Sequence, residues 1–124
     1  MKIILSNKSE LPIYTQIKEQ IKEQIMSGAV AEGTTLPSIR QLAKELKISV
    51  ITTTKAYSGL EEEGFIATRQ GKGSIVLPRD NEMVREQYLK RIEEAFSLAI
   101  ESARYADIGS EGLIAILKTL MEQY

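Results

Sequence analysis

The chain has 124 residues, 43% of them hydrophobic, and a net charge of −1, which suits one domain or a compact domain with an appendage. It contains neither cysteine nor histidine, so disulfides, thiolate nucleophiles, imidazole bases and the usual zinc ligands are excluded. We therefore expect no catalytic residue, no metal site and no cofactor. Apolar runs are too short for a secretion signal or a membrane span, so we expect a cytoplasmic protein with no membrane partner.

The charges are unevenly distributed along the chain. Residues 1–79 carry eleven Lys or Arg and eight Asp or Glu, net +3, whereas residues 80–124 carry five and nine, net −4. Only the first part is suited to meet a polyanion, and we predict two domains with these bounds. Between residues 36 and 60 one acid, Glu45, faces four cations: Arg40, Lys44, Lys47 and Lys55. From charge alone, a solvated face with scattered lysines is an equally good interpretation.

The segment 11–27 predicts an amphipathic helix. Apolar residues recur at spacings of three and four, Pro12 lies near the first turn, and Gly28 follows the end. The residues with this spacing are Tyr14, Ile17, Ile21 and Ile25. A loop over residues 29–37 follows.

A second, shorter helix is predicted after this loop. Ser38 and Gln41 form a capping box ahead of it. Lys47 and Ile48 then turn the chain. The apolar residues of this helix are Ile39, Leu42, Ala43 and Leu46.

The third helix is predicted to begin after Ser49, which can cap it, and to end at Gly64. Its inward stripe consists of Thr53, Ala56, Tyr57 and Leu60. With that stripe buried, the residues at its start and outer face include no acid: Val50, Ile51, Thr52, Thr54 and Lys55. In a helix-turn-helix such a helix enters the major groove, where hydroxyls bond phosphates or base edges and methyl groups pack on thymine. Packing of these β-branched residues against a neighbouring element is the alternative.

A β-hairpin is predicted after the third helix, from residues 65–69 and 74–77, with a tip at Gln70–Gly73. Gly71 and Gly73 let the tip approach another surface closely, and Arg69 and Lys72 supply charge that a narrow groove attracts. A hairpin in this place is a wing, with a plain surface hairpin as the alternative. The letters GKGS do not form a phosphate-binding loop, because the upstream glycine of that motif is missing and a strand and a helix do not flank the letters in the required order.

Two further helices are predicted in the acidic part. The first runs from Asp80, which could cap it, to about Ala106, a length of about 40 Å; Gly109 interrupts the pattern, and Ser110 can cap the second. The two apolar stripes are too large to bury in each other, which indicates a symmetric partner. The alternative is a monomer whose two helices fold back on the first domain. The predicted dimerisation residues are Val84, Tyr88, Ile92, Phe96, Ala99, Leu113, Leu117 and Leu120.

These motifs resemble a known family. The residues PIYTQIKEQI, LPSIRQLAKELKIS, KAYSGLEEEGFI and GKGSIV are similar to the DNA-binding domain of GntR family transcriptional regulators over residues 11–77, and the short tail is similar to that of the YtrA-like subfamily. The resemblance implies a mainly α fold with a small β-hairpin: a winged helix-turn-helix domain plus a two-helix dimerisation region. It also implies a homodimer that binds double-stranded operator DNA and usually represses transcription. Genes of the subfamily often lie beside those of ABC transporters.

The resemblance also implies which residues meet DNA. It assigns Arg40 to DNA contact, Ser49 and Thr52 to the phosphate backbone, Lys55 to the same surface, and Gly71 with Lys72 to the wing tip. With the recognition helix taken as Ser49–Glu63, the full predicted set is Ser38, Arg40, Ser49, Val50, Ile51, Thr52, Thr54, Lys55, Gly71, Lys72 and Gly73.

The chain departs from the family pattern directly after Ser49. Many members have an arginine at this position, whereas this chain has Val50 followed by Ile51. A bidentate contact with guanine is therefore excluded there, and we expect apolar contact with thymine methyl groups or a changed register.

The tail offers little room for a polar metabolite cavity, so any effector remains unknown, with the dimer interface or the junction of the domains as possible places. A winged helix that binds protein instead of DNA is a second interpretation, and it would leave Arg40, Lys55 and Lys72 without a common target. An enzyme would have to rely on carboxylates such as those at 61–63, which are more simply a solvated run.

Overall fold

A computed structural model describes all residues of the chain, Met1–Tyr124, and confirms the predicted mainly α fold with one hairpin. In chain order the elements are α1 (Ile13–Met26), α2 (Ile39–Leu46), α3 (Val50–Glu62), β1 (Ile66–Arg69), β2 (Gly73–Val76), α4 (Glu82–Tyr105) and α5 (Ser110–Glu122). The chain divides into two compact units, Met1–Arg85 and Glu86–Tyr124. None of the helices combines the length and the apolar character needed to cross a membrane.

The core of the first unit consists of the predicted apolar stripes. Helix α1 packs against α3, and α3 packs against α2 and β1. Every residue of the predicted α3 stripe is buried, and the buried apolar residues of α1 are those at spacings of four. The residues involved are Ile17, Ile21, Ile25, Thr53, Ala56, Tyr57 and Leu60.

The starts of α2 and α3 are capped by the predicted serines. The Ser38 hydroxyl accepts a hydrogen bond from the Gln41 amide N–H at 3.1 Å, and the Ser49 hydroxyl accepts one from the Thr52 N–H at 3.0 Å. A capping box also requires the Gln41 side chain to bond back to the Ser38 N–H, and this part of the prediction is wrong. The Gln41 side chain donates to Glu45 at 3.1 Å instead, because that carboxylate lies one turn further along the same helix face.

A ladder of glutamines binds the N-terminal segment to α1. Three glutamines spaced by four lie on one helix face, and each side-chain amide both accepts from and donates to the backbone of one residue of the segment. In the order Gln24, Gln20 and Gln16, the side-chain oxygen accepts from the backbone N–H at 3.3, 2.9 and 2.9 Å. In the same order, the side-chain nitrogen donates to the backbone carbonyl at 2.7, 2.7 and 3.0 Å. The pairs are Gln24 with Lys2, Gln20 with Ile4, and Gln16 with Ser6.

The predicted hairpin is present, with antiparallel register from Ile66↔Val76 to Arg69↔Gly73. Its second strand is also paired on the other edge, through a bridge between Thr35 and Ile75. The Leu36 N–H donates to the Ser74 carbonyl at 2.8 Å, and further bonds at 2.8 and 2.9 Å join the loop to Val76. The wing is therefore held from both sides at its base.

The capping predictions for the last two helices are wrong. The Asn81 side chain, not Asp80, caps α4, since its oxygen accepts from the Val84 N–H at 3.1 Å. Ser110 is the first residue of α5, and Gly109 occupies the capping position without a side-chain bond. The Asn81 amide also donates to the Gly64 carbonyl at 2.9 Å and the Pro78 carbonyl at 2.6 Å. Asparagine presents both a donor and an acceptor, which Asp80 at neutral pH cannot.

Candidate nucleic-acid interface

A tight turn joins α2 to α3. Lys47 adopts the left-handed conformation, with φ of 57°, and reverses the chain ahead of Ser49. From α3 the Tyr57 hydroxyl donates to the Pro37 carbonyl at 2.6 Å, which fixes the start of α2 against α3. Burial, together with the negative charge of Glu45, raises the pKa of Tyr57 to about 12. The hydroxyl therefore keeps its proton, and with it this bond, throughout the physiological range.

The outer face of α3 starts with aliphatic and hydroxyl side chains. Ile51 is 81% exposed and Val50 48% exposed, while Thr54 and Lys55 are also exposed. Thr52 is half-buried. The buried stripe thus leaves the predicted DNA-contact residues at the start of α3 on the free side of the helix.

Cations surround this face without acidic partners. Arg40, Lys44 and Lys47 are exposed on α2 and the following turn, and none of them forms an ion pair. The ion pairs of the chain all involve Lys18 or Lys22 of α1. Unneutralised cations beside an exposed helix start form a surface that attracts phosphates.

Lys55 has an aromatic neighbour. Its ammonium nitrogen lies 4.1 Å from the centroid of the Tyr14 ring of α1, within the range of a cation–π contact. This contact leaves the charge uncompensated while it restricts the side chain. Tyr14 was predicted only as a core-facing residue and is half-buried.

The wing tip is exposed and built on glycines. Gly71 and Gly73 have φ of 75° and 76°, in the left-handed region, and the Lys72 N–H donates to the Arg69 carbonyl at 2.9 Å. A Cβ added at Gly71 would meet no atom within 4 Å, so the glycine serves the turn and leaves open space for another surface. Lys72 is exposed at this tip.

The other end of α3 is fixed by a carboxylate between two lysines. The Glu63 oxygens lie 3.0 Å from the ammonium nitrogen of Lys18 and 2.9 Å from that of Lys22. Burial would raise the pKa of Glu63, but hydrogen bonds from Lys22 and Lys18 outweigh it, so the pKa is lowered. Burial would lower the pKa of Lys18, but Glu63 outweighs it, so that pKa is raised. Both groups are held in their charged forms.

The predicted DNA-contact residues have different local surroundings. Ser49 bonds to Thr52 through their hydroxyls at 2.8 Å, and Thr54 bonds to the Val50 carbonyl at 2.8 Å. Ser38, Arg40 and the wing tip make no side-chain hydrogen bond or ion pair to α3 in the free chain. All of the predicted DNA-contact residues except Thr52 are exposed. Nowhere in the chain do three or more carboxylates come close enough to hold a metal ion.

Three supports of this surface were missed by reasoning from the sequence. They are the Thr35 bridge to β2, the Tyr57 bond to Pro37, and the Asn81 bonds to Gly64 and Pro78. The two β-branched residues beside Leu36 were a usable signal for an extended segment. The Tyr57 bond to Pro37 and the Asn81 bond to Gly64 join residues 20 and 17 positions apart in sequence and leave no local pattern.

The second unit presents an apolar groove of about 310 Å³ between α4 and α5. Its lining residues are Phe96, Ala99, Ile100, Leu113, Ile114, Ile116, Leu117 and Leu120. Phe96 is 49% exposed, and Ile92 also lies exposed on α4. Val84 differs from the other predicted dimerisation residues, because it is 1% exposed and already covered within the first unit. We therefore leave Val84 out of any partner surface.

Comparison with known proteins agrees with this geometry. The family described as bacterial regulatory proteins, gntR family, matches residues 13–76. A curated relative, the HTH-type transcriptional repressor YtrA of Bacillus subtilis (strain 168), is 34% identical over 118 residues, which are 95% of this chain and 91% of that protein.

Two solved structures are also similar. YtrA from Sulfolobus acidocaldarius, a GntR-family transcription factor, has a TM-score of 0.62 and 37% identity, covering 77% of this chain and 97% of that one. The DNA-binding domain of AraR in complex with operator ORR3 has a TM-score of 0.51 and 29% identity, covering 61% of this chain and 92% of that one.

Proposed function

The chain belongs to the GntR family of bacterial regulatory proteins, and from this premise we propose that it is a homodimeric repressor that binds a pseudo-palindromic operator. At the coarser level it is a DNA-binding transcription regulator with a winged helix fold and is not an enzyme. A protein that acts on bacterial operators works in the cytoplasm, and this location is part of the proposal.

One observation carries the proposal: the exposed start of α3 lies in the same unit as unpaired cations on α2 and on the wing tip. In the proposed complex the start of α3 enters the major groove, where its first residues meet base edges. Arg40 of α2 neutralises a phosphate, and Lys72 at the wing tip enters the adjacent minor groove. The DNA complex of the AraR domain supports this arrangement by analogy.

The dimer places two such units on two half-sites. We propose that the apolar groove of α4 and α5 is the surface that a second copy covers, because exposed apolar patches of this kind are typical of obligate partners. As the target we propose an operon for an ABC transporter, which rests on the subfamily resemblance alone. We propose no effector.

The function is tested by removing single cations. Arg40→Ala removes a cation from a phosphate and Lys72→Ala removes one from the minor groove. Both should therefore weaken binding to operator and to random duplexes alike and lower the salt dependence by about one counterion. Titrations at several salt concentrations measure both quantities. Lys90→Ala, which removes an exposed cation from α4, is the matched control and should change neither. Equal behaviour of all three variants would contradict the proposal.

A further inference from the structure

The isoleucine and the valine at the start of α3 lie outside the buried core of the first unit. Ile51 is 81% exposed and Val50 48% exposed, so water covers most of Ile51 and about half of Val50. Stabilisation by an apolar side chain scales with the area removed from water, and Ile51 removes little. As a β-branched residue in a helix, it is also a weaker helix former than alanine. Its presence therefore calls for an explanation outside the free chain.

The neighbouring hydroxyls are engaged within the first turn of the helix. Thr54 donates its hydroxyl proton to the Val50 carbonyl at 2.8 Å, and the Ser49 hydroxyl donates to that of Thr52 at 2.8 Å. With these oxygens directed at the helix itself, the threonines contribute methyl groups to the outer face. The surface at the start of α3 is therefore largely aliphatic.

This surface lacks the side chains that read a base through two parallel hydrogen bonds. Guanine is recognised by Arg or Lys and adenine by Asn or Gln, and residues 50–54 include none of these. The first charged group is Lys55, whose ammonium lies over the Tyr14 ring at 4.1 Å. In the major groove the only apolar group of the four common bases is the C5-methyl of thymine.

We propose that Ile51, assisted by Val50, reads the C5-methyl group of a pyrimidine in each operator half-site. This inference rests on the proposed function, since it applies to duplex DNA in the major groove. Thymine supplies this methyl in ordinary DNA, and 5-methylcytosine supplies the same group. Discrimination at these positions then comes from apolar contact, with no hydrogen bond between Ile51 or Val50 and a base.

Exchange of thymine for uracil provides the test, because it removes one methyl group and keeps base pairing. A duplex selected by the purified full chain from a random library is synthesised again with uracil at each thymine in turn. We expect binding to weaken about fourfold where Ile51 makes contact, from the transfer free energy of one methyl-sized group. A second set of duplexes has cytosine or 5-methylcytosine at the same position, and the methylated base should bind about fourfold tighter.

The side chain is tested with Ile51→Ala on the same duplexes. This variant should bind the thymine duplex more weakly and should no longer distinguish thymine from uracil. Ile4→Ala is the matched control, because Ile4 is also an exposed isoleucine but lies in the N-terminal segment. It should keep the fourfold discrimination. The near-complete exposure of Ile51 means that its truncation leaves folding intact, which a circular dichroism spectrum checks.

These experiments distinguish a failure of this inference from a failure of the proposed function. Sequence-specific binding that tolerates uracil at every position, or that Ile51→Ala leaves sensitive to the methyl group, overturns this inference and leaves the proposed function standing. A chain that selects no sequence and binds no duplex overturns the proposed function itself, and the inference with it.

Discussion

Glu63 connects the end of α3 to α1 through two lysines. Lys22 is buried and the carboxylate is mostly covered, so the three charges are compensated within the protein rather than by water. A buried cation that loses its partner is costly, even where the intact pair contributes little net stability.

We predict that Glu63→Gln lowers the free energy of unfolding by about 1–3 kcal/mol, because Lys18 loses its only ion pair and Lys22 keeps only the longer one, at 3.5 Å to Glu19. Urea denaturation at neutral pH measures the loss. Glu62→Gln is the control, since Glu62 is an exposed neighbour with the same charge, and it should shift stability by less than about 0.5 kcal/mol. Equal effects of the two variants would show that Glu63 acts only through net charge.

Glu63 also makes the stability of the folded chain depend on pH. The pKa of Glu63 is lowered in the folded chain, so its contribution is present above its ordinary value of 4.5 and is lost as the pH falls through the lowered value. The pKa of Lys18 is raised, so its contribution is complete below 10.5 and is lost as the pH rises through the raised value. Between pH 4.5 and 10.5 the difference in free energy of unfolding between the original chain and Glu63→Gln should therefore be constant.

At the residue scale, the sequence predicted the local caps and missed the distant contacts. Ser38 and Ser49 were assigned correctly, since a cap bonds within three residues and depends on local geometry. The sequence predicted Asp80 as a cap and did not point to Asn81, because the bond from Asn81 to the Gly64 carbonyl spans 17 positions and leaves no local pattern. The Glu63 pairs were missed for the same reason.

Among the elements, the close approach of α3 and α4 depends on a glycine. Gly64 has φ of 86°, and a Cβ placed there would lie 2.7 Å from the Met83 Cβ. The residue therefore meets two requirements at once: a left-handed backbone and the absence of a side chain.

The two requirements can be separated by comparing glycines. Gly33 also has a left-handed φ, of 82°, but an added Cβ would meet nothing within 4 Å. Gly33→Ala should therefore cost only the backbone term, about 1–2 kcal/mol, whereas Gly64→Ala should cost about 3 kcal/mol or more. Thermal or urea unfolding of both variants decides this. A similar loss in both would mean that the end of α3 tolerates the extra atom.

Element positions were largely predictable. Helices α1 to α3 follow the apolar spacing, and the hairpin follows two β-branched runs around a glycine tip. The exception is the segment 33–36, which was predicted as loop and pairs with β2. A single bridge residue such as Thr35 is too short to show the alternation of apolar and polar residues that predicts a strand. Its extended conformation is set by pairing with β2.

At the scale of the whole molecule, the proposed dimer depends on the groove between α4 and α5. Aliphatic and aromatic side chains line this groove, and most of them are exposed in the single chain. Five of the eight lining residues belong to the predicted dimerisation set, whereas Val84 of that set is buried in the first unit.

We predict that Phe96→Glu disrupts the dimer, because association would bury an unpaired carboxylate at a cost of about 3 kcal/mol or more, a weakening of about a hundredfold. Sedimentation equilibrium measures the oligomeric state, and binding to a two-half-site operator should fall while binding to one half-site is kept. Ser97→Glu introduces the same group on the exposed residue that follows and should remain dimeric. A dimeric Phe96→Glu with unchanged operator binding would refute this interface.

In the glutamine ladder on α1, the spacing of the glutamines along the helix differs from the spacing of their partners along the N-terminal segment. Four residues of helix advance about 6.0 Å, whereas two residues of extended chain advance about 6.6 Å, so the mismatch grows by about 0.6 Å at each rung. Three rungs remain within the tolerance of a hydrogen bond, and the longest, 3.3 Å from the Lys2 nitrogen to Gln24, is at one end of the series. The same Gln24 amide donates to the Lys2 carbonyl at 2.7 Å, so both ends of the ladder stay bonded despite the mismatch.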